Sequence, residues 1–158
     1  MSELPIISVS VKAAVVREVS DGPEVLLVSY DDEAGFHYNL PGGKAREGEQ
    51  LRDAVRRKVA QETGLVVDPT RLLFVVEYVP SVYGGEFGDQ HKIQFNFLAL
   101  PADPVAQPLL PDPPEPDQVG FEWVRLAELG GKYLLPRITD FLIEALTSPG
   151  LDGLVDRW

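Results

Sequence analysis

The pattern of apolar and polar positions divides the chain into strands, two helices and one long proline-rich segment. Apolar residues at positions 9, 11, 13 and 15 alternate with mostly polar neighbours, which predicts a strand within residues 6–19. A turn signal at 20–23 precedes an apolar run at 24–30, so the first two strands are expected to form a hairpin. Further strands are predicted at 65–67, 71–80, 91–100 and 119–124.

Helical spacing appears at two places. Leu51, Ala54, Val55 and Val59 recur at intervals of three and four, which predicts an amphipathic helix from residue 49 onwards. Gly64 is expected to end this helix as a left-handed cap. A second apolar stripe between residues 138 and 146 predicts a C-terminal helix. The proline at position 136 suits its first residue.

Length and composition indicate one domain. A chain of 158 residues that is 44% hydrophobic suits a single core, placed at about residues 6–147. Residues 101–116 hold seven of the 14 prolines, so they are expected to form an extended surface loop rather than a helix or a central strand. The tail at 148–158 is apolar at positions 151, 154, 155 and 158. It is expected to dock on the domain or on a second subunit, which leaves a homodimer open.

The overall charge limits the partners. A net charge of −11 argues against nucleic acid or an anionic membrane as the main partner. The chain has no cysteine, no visible secretory signal and no apolar stretch near the roughly 20 residues that cross a bilayer. The sequence therefore predicts a soluble, cytoplasmic protein. A small anionic ligand would need a local basic patch, which Lys44 and Arg46 supply.

A glycine loop leads into the first helix. Gly42 and Gly43 follow Pro41, and their backbone can approach a ligand more closely than that of other residues. Near the helix end, positions 58, 61 and 62 have the i, i+3, i+4 spacing that brings side chains onto one patch.

The stretch from Gly43 to Leu65 resembles a Nudix box, G-x5-E-x7-R-E-U-x-E-E-x-G-U, in which U is a bulky aliphatic residue. Seven of the nine specified positions match the pattern. The matches are Gly43, Glu49, Arg57, Val59, Glu62, Gly64 and Leu65. The resemblance implies an α/β fold, the Nudix α/β/α sandwich with a mixed β-sheet.

The resemblance also implies a chemistry. Nudix hydrolases cleave phosphoanhydride bonds in nucleoside-diphosphate-linked substrates with the help of Mg²⁺ or Mn²⁺. By this resemblance, Glu62, the Gly42 carbonyl and, weakly, the Gln61 amide would hold the metal. The catalytic residues would be Glu62 itself, with Glu49 and Arg57, since Glu49 would orient Arg57 or bind metal-linked water.

Two departures from the pattern remove carboxylates. Lys58 and Gln61 stand where the box has glutamates, so the patch changes from about −3 to about zero. A divalent ion about 4 Å from one unit charge interacts by about 8 kcal/mol at an effective dielectric near 20, before desolvation. The sequence therefore predicts a depleted metal site in which the Lys58 ammonium takes part of the place of the metal. Activity would be reduced or altered. The alternative is a catalytically inactive Nudix-fold module that binds a nucleotide or regulates a partner.

Other residues could complete the site. Tyr38 and Phe36 precede the glycine loop and, with Lys44 and Arg46, are candidates for binding the substrate. A lost metal ligand could be replaced from elsewhere in the chain. The candidates are Glu77, Glu115, Asp117 and Glu122.

Overall fold

The computed structural model describes residues 6–148 and 154–155. The strands in these residues are β1 (Ser8–Val19), β2 (Gly22–Asp32), β3 (Gly35–Asn39), β4 (Gly42–Lys44), β5 (Val67–Tyr78), β6 (Lys92–Pro101), β7 (Gln118–Arg125) and β8 (Leu154–Val155). The helices are α1 (Leu51–Thr63) and α2 (Thr139–Thr147), with 3-10 turns at Pro80–Val82 and Leu126–Gly131. No helix among the described residues is both long and apolar enough to cross a membrane.

The sheet is mixed. Its main order is β3-β2-β1-β6-β5-β8, while β4 pairs with β1 and β7 pairs with β2. The β1–β6 and β5–β8 pairs are parallel, and the remaining pairs are antiparallel. This arrangement confirms the predicted α/β class.

The two helices contribute to two separate apolar clusters of the sheet. Val11 and Val15 of β1 belong to one cluster, together with Val55 of α1. Ala14 of β1 belongs to the other cluster, together with Leu142 of α2. Because successive strand residues point to opposite faces, β1 contributes to both layers of core.

The predicted end of α1 is confirmed. Gly64 has φ 72°, and its N–H donates to the Ala60 carbonyl at 2.9 Å, which is the left-handed cap expected of glycine. The helix begins at Leu51, two residues later than predicted.

Two proline positions differ from the sequence prediction. Asp68 and Pro69 do not separate two strands but lie inside β5, where the pairing with β6 shifts register between Pro69 and Arg71. Such an irregularity lets a strand tolerate a residue that cannot donate a backbone hydrogen bond. Pro136 is not the first helical residue, because α2 begins only at Thr139.

The tail contributes to the sheet. Leu154 and Val155 pair in parallel with Val75 and Val76 of β5, and Val155 is buried. The core therefore extends beyond the predicted limit of residue 147, and this part of the tail docks on its own domain. Positions 151 and 158 lie outside the described residues. In the proline-rich segment, Pro101 is the last residue of β6, and residues 102–117 form neither helix nor strand.

Candidate active site

The glycine loop is a short strand held against β1. Gly42 and Gly43 pair with Lys12 and Val11. Gly42 has φ 151°, and a Cβ on it would lie 2.1 Å from the Val11 carbonyl oxygen. Only glycine can occupy this position without displacing the backbone.

Glu62 reaches this loop from the end of α1. Its side chain is buried, and its Oε1 accepts a hydrogen bond from the Gly42 N–H at 2.9 Å. Burial raises the pKa of Glu62, and the nearby Lys12 ammonium opposes that rise. Within the described residues the second carboxylate oxygen, Oε2, accepts no hydrogen bond and stays available to water or a ligand.

Lys12 is a site residue that the sequence pattern did not single out. It is only 9% exposed, and its Nζ donates to the Leu40 carbonyl at 3.2 Å. Burial lowers the pKa of Lys12, while the charge of Glu62 raises it. Alternation along β1 predicted only that Lys12 shares a face with serines. A lysine among the small and apolar residues of the first part of β1 was the available signal.

Lys58 of α1 lies over the glycine loop. A Cβ on Gly43 would lie 2.3 Å from the Lys58 Cε, so the lysine stem passes directly over this glycine. Among the described ion pairs Lys58 has none with Glu62 within 4.0 Å. Its charge still lowers the pKa of Glu62, after the larger effect of Lys12. Two ammonium groups thus influence the one remaining carboxylate of the box trio.

Glu49 and Arg57 form a two-point ion pair. The Arg57 Nε donates to Glu49 Oε2 at 2.7 Å, and Nη2 donates to Oε1 at 2.9 Å. Arg57 also donates to the Lys44 carbonyl at 3.1 Å, which ties α1 to β4. The guanidinium lowers the pKa of Glu49 to about 2. The sequence-predicted role of Glu49 in orienting Arg57 agrees with this geometry.

This ion pair leads to a pH-dependent expectation. The folded-state pKa of Glu49 lies below the ordinary value of 4.5, so its contribution to stability is present above that pH and is lost as the pH falls towards 2. Glu49→Gln is expected to lower the free energy of unfolding at pH 7, and the deficit should shrink by pH 3. Urea unfolding at both pH values measures this. Glu47→Gln, on the exposed part of the same loop, should show neither effect.

Gln61 is held by the proline-rich loop. Its Nε2 donates to Glu115 Oε1 at 2.8 Å, which brings a carboxylate from that loop to the helix. Burial raises the pKa of Tyr30, and the charges of Glu62 and Glu115 raise it further, so the three side chains share one region. Of the proposed replacement carboxylates, Glu115 is the one that contacts a box residue.

The donor set does not fit the metal site that the resemblance to a Nudix box implies. Nudix hydrolases generally use divalent metals. In the described part of this chain, however, no three His, Asp or Glu side chains are grouped so that they could hold an ion. Glu62 already accepts the Gly42 N–H, Gln61 turns its amide nitrogen towards Glu115, and Lys12 and Lys58 add positive charge. Hard cations prefer several anionic oxygen ligands, which this arrangement lacks.

The aromatic candidates lie side by side. The rings of Phe36 and Tyr38 meet edge to face at 5.2 Å, and Phe36 is 53% exposed. The Tyr38 hydroxyl donates to Glu122 Oε2 at 2.6 Å, and Lys132 donates to Oε1 of the same carboxylate at 2.7 Å. Glu122 is therefore bound to a tyrosine and a lysine. Its carboxylate is already paired on both oxygens.

The remaining candidates lie in varied surroundings. Arg46 is exposed, and its backbone N–H donates to Glu49 Oε1 at 3.1 Å. Lys44 is also exposed and follows the glycines on β4. Glu77 is half-buried opposite Ile93. Asp117 has φ 65° at the end of the proline-rich loop, where its carbonyl accepts the N–H of Asp31 at 2.9 Å.

Two sets of side-chain hydrogen bonds help to hold a glycine-rich loop at residues 83–91. Arg137 donates to both carboxylate oxygens of Glu86, with Nη2 at 2.6 Å from Oε2. Tyr78 donates its hydroxyl to the Gly88 carbonyl at 2.6 Å and accepts the Phe87 N–H at 3.0 Å. The loop is thereby fastened to β5 and to the segment before α2.

The fold and the box agree with known proteins. A family model described as "NUDIX domain" matches residues 9–146. Among solved structures, the chain is similar to a MutT NUDIX hydrolase from Burkholderia pseudomallei. The TM-score is 0.64 at 27% identity, with 92% of this chain and 100% of that chain covered.

Two further structures share the fold at lower identity. A NUDIX hydrolase from Nitrosomonas europaea has a TM-score of 0.69 at 21% identity, with 97% of this chain and 98% of that chain covered. An ADP-ribose pyrophosphatase from Streptococcus suis has a TM-score of 0.64 at 18% identity, with coverage of 96% and 100%. These neighbours are named hydrolases and pyrophosphatases, in agreement with the interpretation of the chain as an enzyme. With the family match over most of its length and the box geometry around Gly42 and Glu62, the chain belongs to the NUDIX domain family.

Proposed function

We propose that the protein hydrolyses phosphoanhydride bonds in nucleoside-diphosphate-linked substrates, with a weakened requirement for a divalent metal. The observation that carries this proposal is the environment of Glu62. Its carboxylate is buried, one oxygen is held by the Gly42 N–H, and the other oxygen is available. A carboxyl whose pKa is raised by burial is a better base near neutral pH than an exposed one.

The chemistry uses groups of this chain. Water attacks a phosphorus of the anhydride, its proton passes to the free oxygen of Glu62, and the bridging P–O bond breaks to release the second phosphate. Negative charge builds up on the phosphoryl oxygens during this step. The Lys12 and Lys58 ammonium groups lie near Glu62 and would offset that charge. No step is assigned to a metal, since the donor set does not fit one.

The role of Glu62 is tested by Glu62→Gln. The amide keeps the size of the side chain but cannot take the proton, so the turnover number is expected to fall by at least about 100-fold. Nucleotide release from a panel of nucleoside diphosphate derivatives measures it, with EDTA and with added Mn²⁺. Glu128→Gln, which removes a surface carboxylate paired with Arg125, should leave turnover unchanged. Wild-type turnover that disappears completely in EDTA would contradict the weakened metal requirement.

One observation favours a second candidate function. Residues 6–148 and 154–155 contain no group of three His, Asp or Glu side chains that could hold a metal. This is also expected of a binding module that does not hydrolyse its ligand. In that case the protein would sense a nucleotide or regulate a partner. Measurable ligand binding with no turnover above blank, with or without Mn²⁺, would select this function.

A further inference from the structure

The last turn of α1 carries Glu62 and is held by a segment that is distant in the sequence. The final carbonyl groups of an α-helix have no partner within the helix. Here the Glu62 carbonyl accepts a hydrogen bond from Gln118 Nε2 at 3.1 Å, and the Thr63 carbonyl accepts one from the Leu109 N–H at 2.9 Å. Glu62, Thr63 and Gln118 are all buried, so these bonds replace contacts with water.

Residues 109–118, here called the strap, hold three consecutive positions of this turn. Besides the two carbonyl contacts, Glu115 accepts the hydrogen bond from Gln61 Nε2 at 2.8 Å. Four residues of the strap are prolines, at 111, 113, 114 and 116. Because the ring of proline fixes φ, such a segment has few other conformations to adopt. The strap is therefore a stiff support for residues 61–63.

Gln118 faces α1 because of an irregularity at the start of β7. Gly120 and Gln118 pair with the adjacent residues Ser29 and Tyr30 of β2, so Val119 is skipped in this pairing. A shift of one residue turns a side chain to the other face of a sheet. Gln118 therefore shares a face with the aromatic residues of β7, which pack against the apolar cluster that includes α1.

The hydrogen bonding of Gln118 itself does not explain why an amide stands there. The residue is 5% exposed, and its Oε1 is buried without a hydrogen-bond partner among the described residues. A buried polar atom left unpaired costs free energy that an apolar side chain of similar size would not incur. Departures of this kind from the most stable choice are expected where a residue serves function. The contact that Gln118 does make is with the residue that carries the buried carboxylate.

We propose that Gln118 is a positioning residue for Glu62. It fixes the Glu62 backbone, while the rest of the strap fixes the residues on either side. The carboxylate Oε1 is thereby kept on the Gly42 N–H, and the other oxygen keeps one direction. This inference rests on the proposed function for what Glu62 does in the reaction, but the position of Glu62 can be followed without any turnover.

Gln118→Met tests the proposal, since it keeps the length of the side chain and removes the donor. The Glu62 carboxylate should then leave the Gly42 N–H more often, so this amide is expected to exchange with solvent at least about fivefold faster. The turnover number should fall about tenfold with KM nearly unchanged, because a misdirected base impairs the chemical step rather than binding. Amide exchange measured by NMR and steady-state kinetics give the two values.

A matched control lies on the other helix. Arg71 of β5 donates from Nη2 to the Ala145 carbonyl of α2 at 2.8 Å, which is the same kind of contact as that of Gln118. Arg71→Met is expected to change the Gly42 exchange rate and the turnover number less than about twofold. In Gln118→Met, the Leu142 N–H, which donates to the Ile138 carbonyl in α2, should exchange at its wild-type rate.

A second pair of variants keeps the test available if Gln118→Met does not fold. Glu115→Gln and Glu115→Met remove the same charge, but only the glutamine keeps an oxygen that can accept from Gln61. The methionine variant is expected to show the faster Gly42 exchange, by about twofold. Equal exchange rates in the two variants would mean that the strap does not act through this hydrogen bond, and would contradict the proposal.

Two results with Gln118→Met would overturn the positioning role. One is equal acceleration at Gly42 and Leu142, which would indicate only a general loss of stability. The other is a reduced turnover number with unchanged exchange at Gly42, since Glu62 would then not have moved. A wild-type protein without turnover would defeat the proposed function. Faster exchange confined to Gly42 would still support the hold of Gln118 on Glu62.

Discussion

Restoring the two missing carboxylates of the box, with Lys58→Glu and Gln61→Glu in one chain, is expected to tighten Mn²⁺ binding at least tenfold. The double change makes the patch about three charges more negative. The attraction of a divalent ion to one such charge is several kcal/mol at an effective dielectric near 20. A tenfold gain in affinity needs only about 1.4 kcal/mol. The Lys58→Glu change also removes the lysine stem that lies over Gly43. Calorimetric titration with Mn²⁺ measures the change.

A control for this experiment lies on the same helix. Arg56 is exposed and pairs with Asp53 and Asp68, away from the box patch. Arg56→Glu makes the chain more negative without adding a carboxylate at position 58 or 61, so it should leave Mn²⁺ affinity nearly unchanged. If the wild-type protein binds Mn²⁺ as tightly as the double variant, the depleted metal site is wrong.

Gly42→Ala is expected to destabilise the fold by about 3 kcal/mol or more and to abolish turnover. The new Cβ would meet the Val11 carbonyl at 2.1 Å, at a φ of 151° that side chains rarely adopt. Relief of this clash requires β4 to move off β1, which also moves the N–H that holds Glu62. Urea unfolding and a turnover assay measure the two effects.

Gly48→Ala is the matched control for this change. Gly48 also has a positive φ, 78°, but a Cβ there meets nothing within 4 Å. Its cost should be limited to the left-handed backbone, about 1–2 kcal/mol, with Glu62 undisturbed. Equal losses in the two variants would mean that close packing on β1 is not what makes Gly42 necessary.

The elements with strong periodicity could be predicted from the sequence. Helix α1 and its glycine cap follow from local rules, because the apolar stripe and Gly64 need no knowledge of the rest of the chain. The strand β4 was missed because it has only three residues, two of them glycines, and exists through its pairing with β1. Local rules predict a break at Pro69, because they do not contain the irregularity between Pro69 and Arg71 in the pairing of β5 with β6.

The candidate site was predicted in part. The box pattern identified Glu62, Glu49 and Arg57, and the structure brings Glu49 and Arg57 into direct contact. Lys12 was not identified, because alternation says that two residues share a face but not whether another segment covers that face. Burial of Lys12 depends on the whole three-dimensional arrangement, which no local pattern in β1 contains.

The fastening of the loop at residues 83–91 has a consequence for how the loop responds to salt. The Arg137 side chain is 56% exposed and that of Glu86 is 24% exposed, so dissolved ions screen their attraction. Such a surface pair contributes only about 0–1 kcal/mol. The Tyr78 hydrogen bonds are between uncharged groups and respond little to ionic strength. Salt is therefore expected to weaken the contact between Arg137 and Glu86 more than the hydrogen bonds of the Tyr78 hydroxyl.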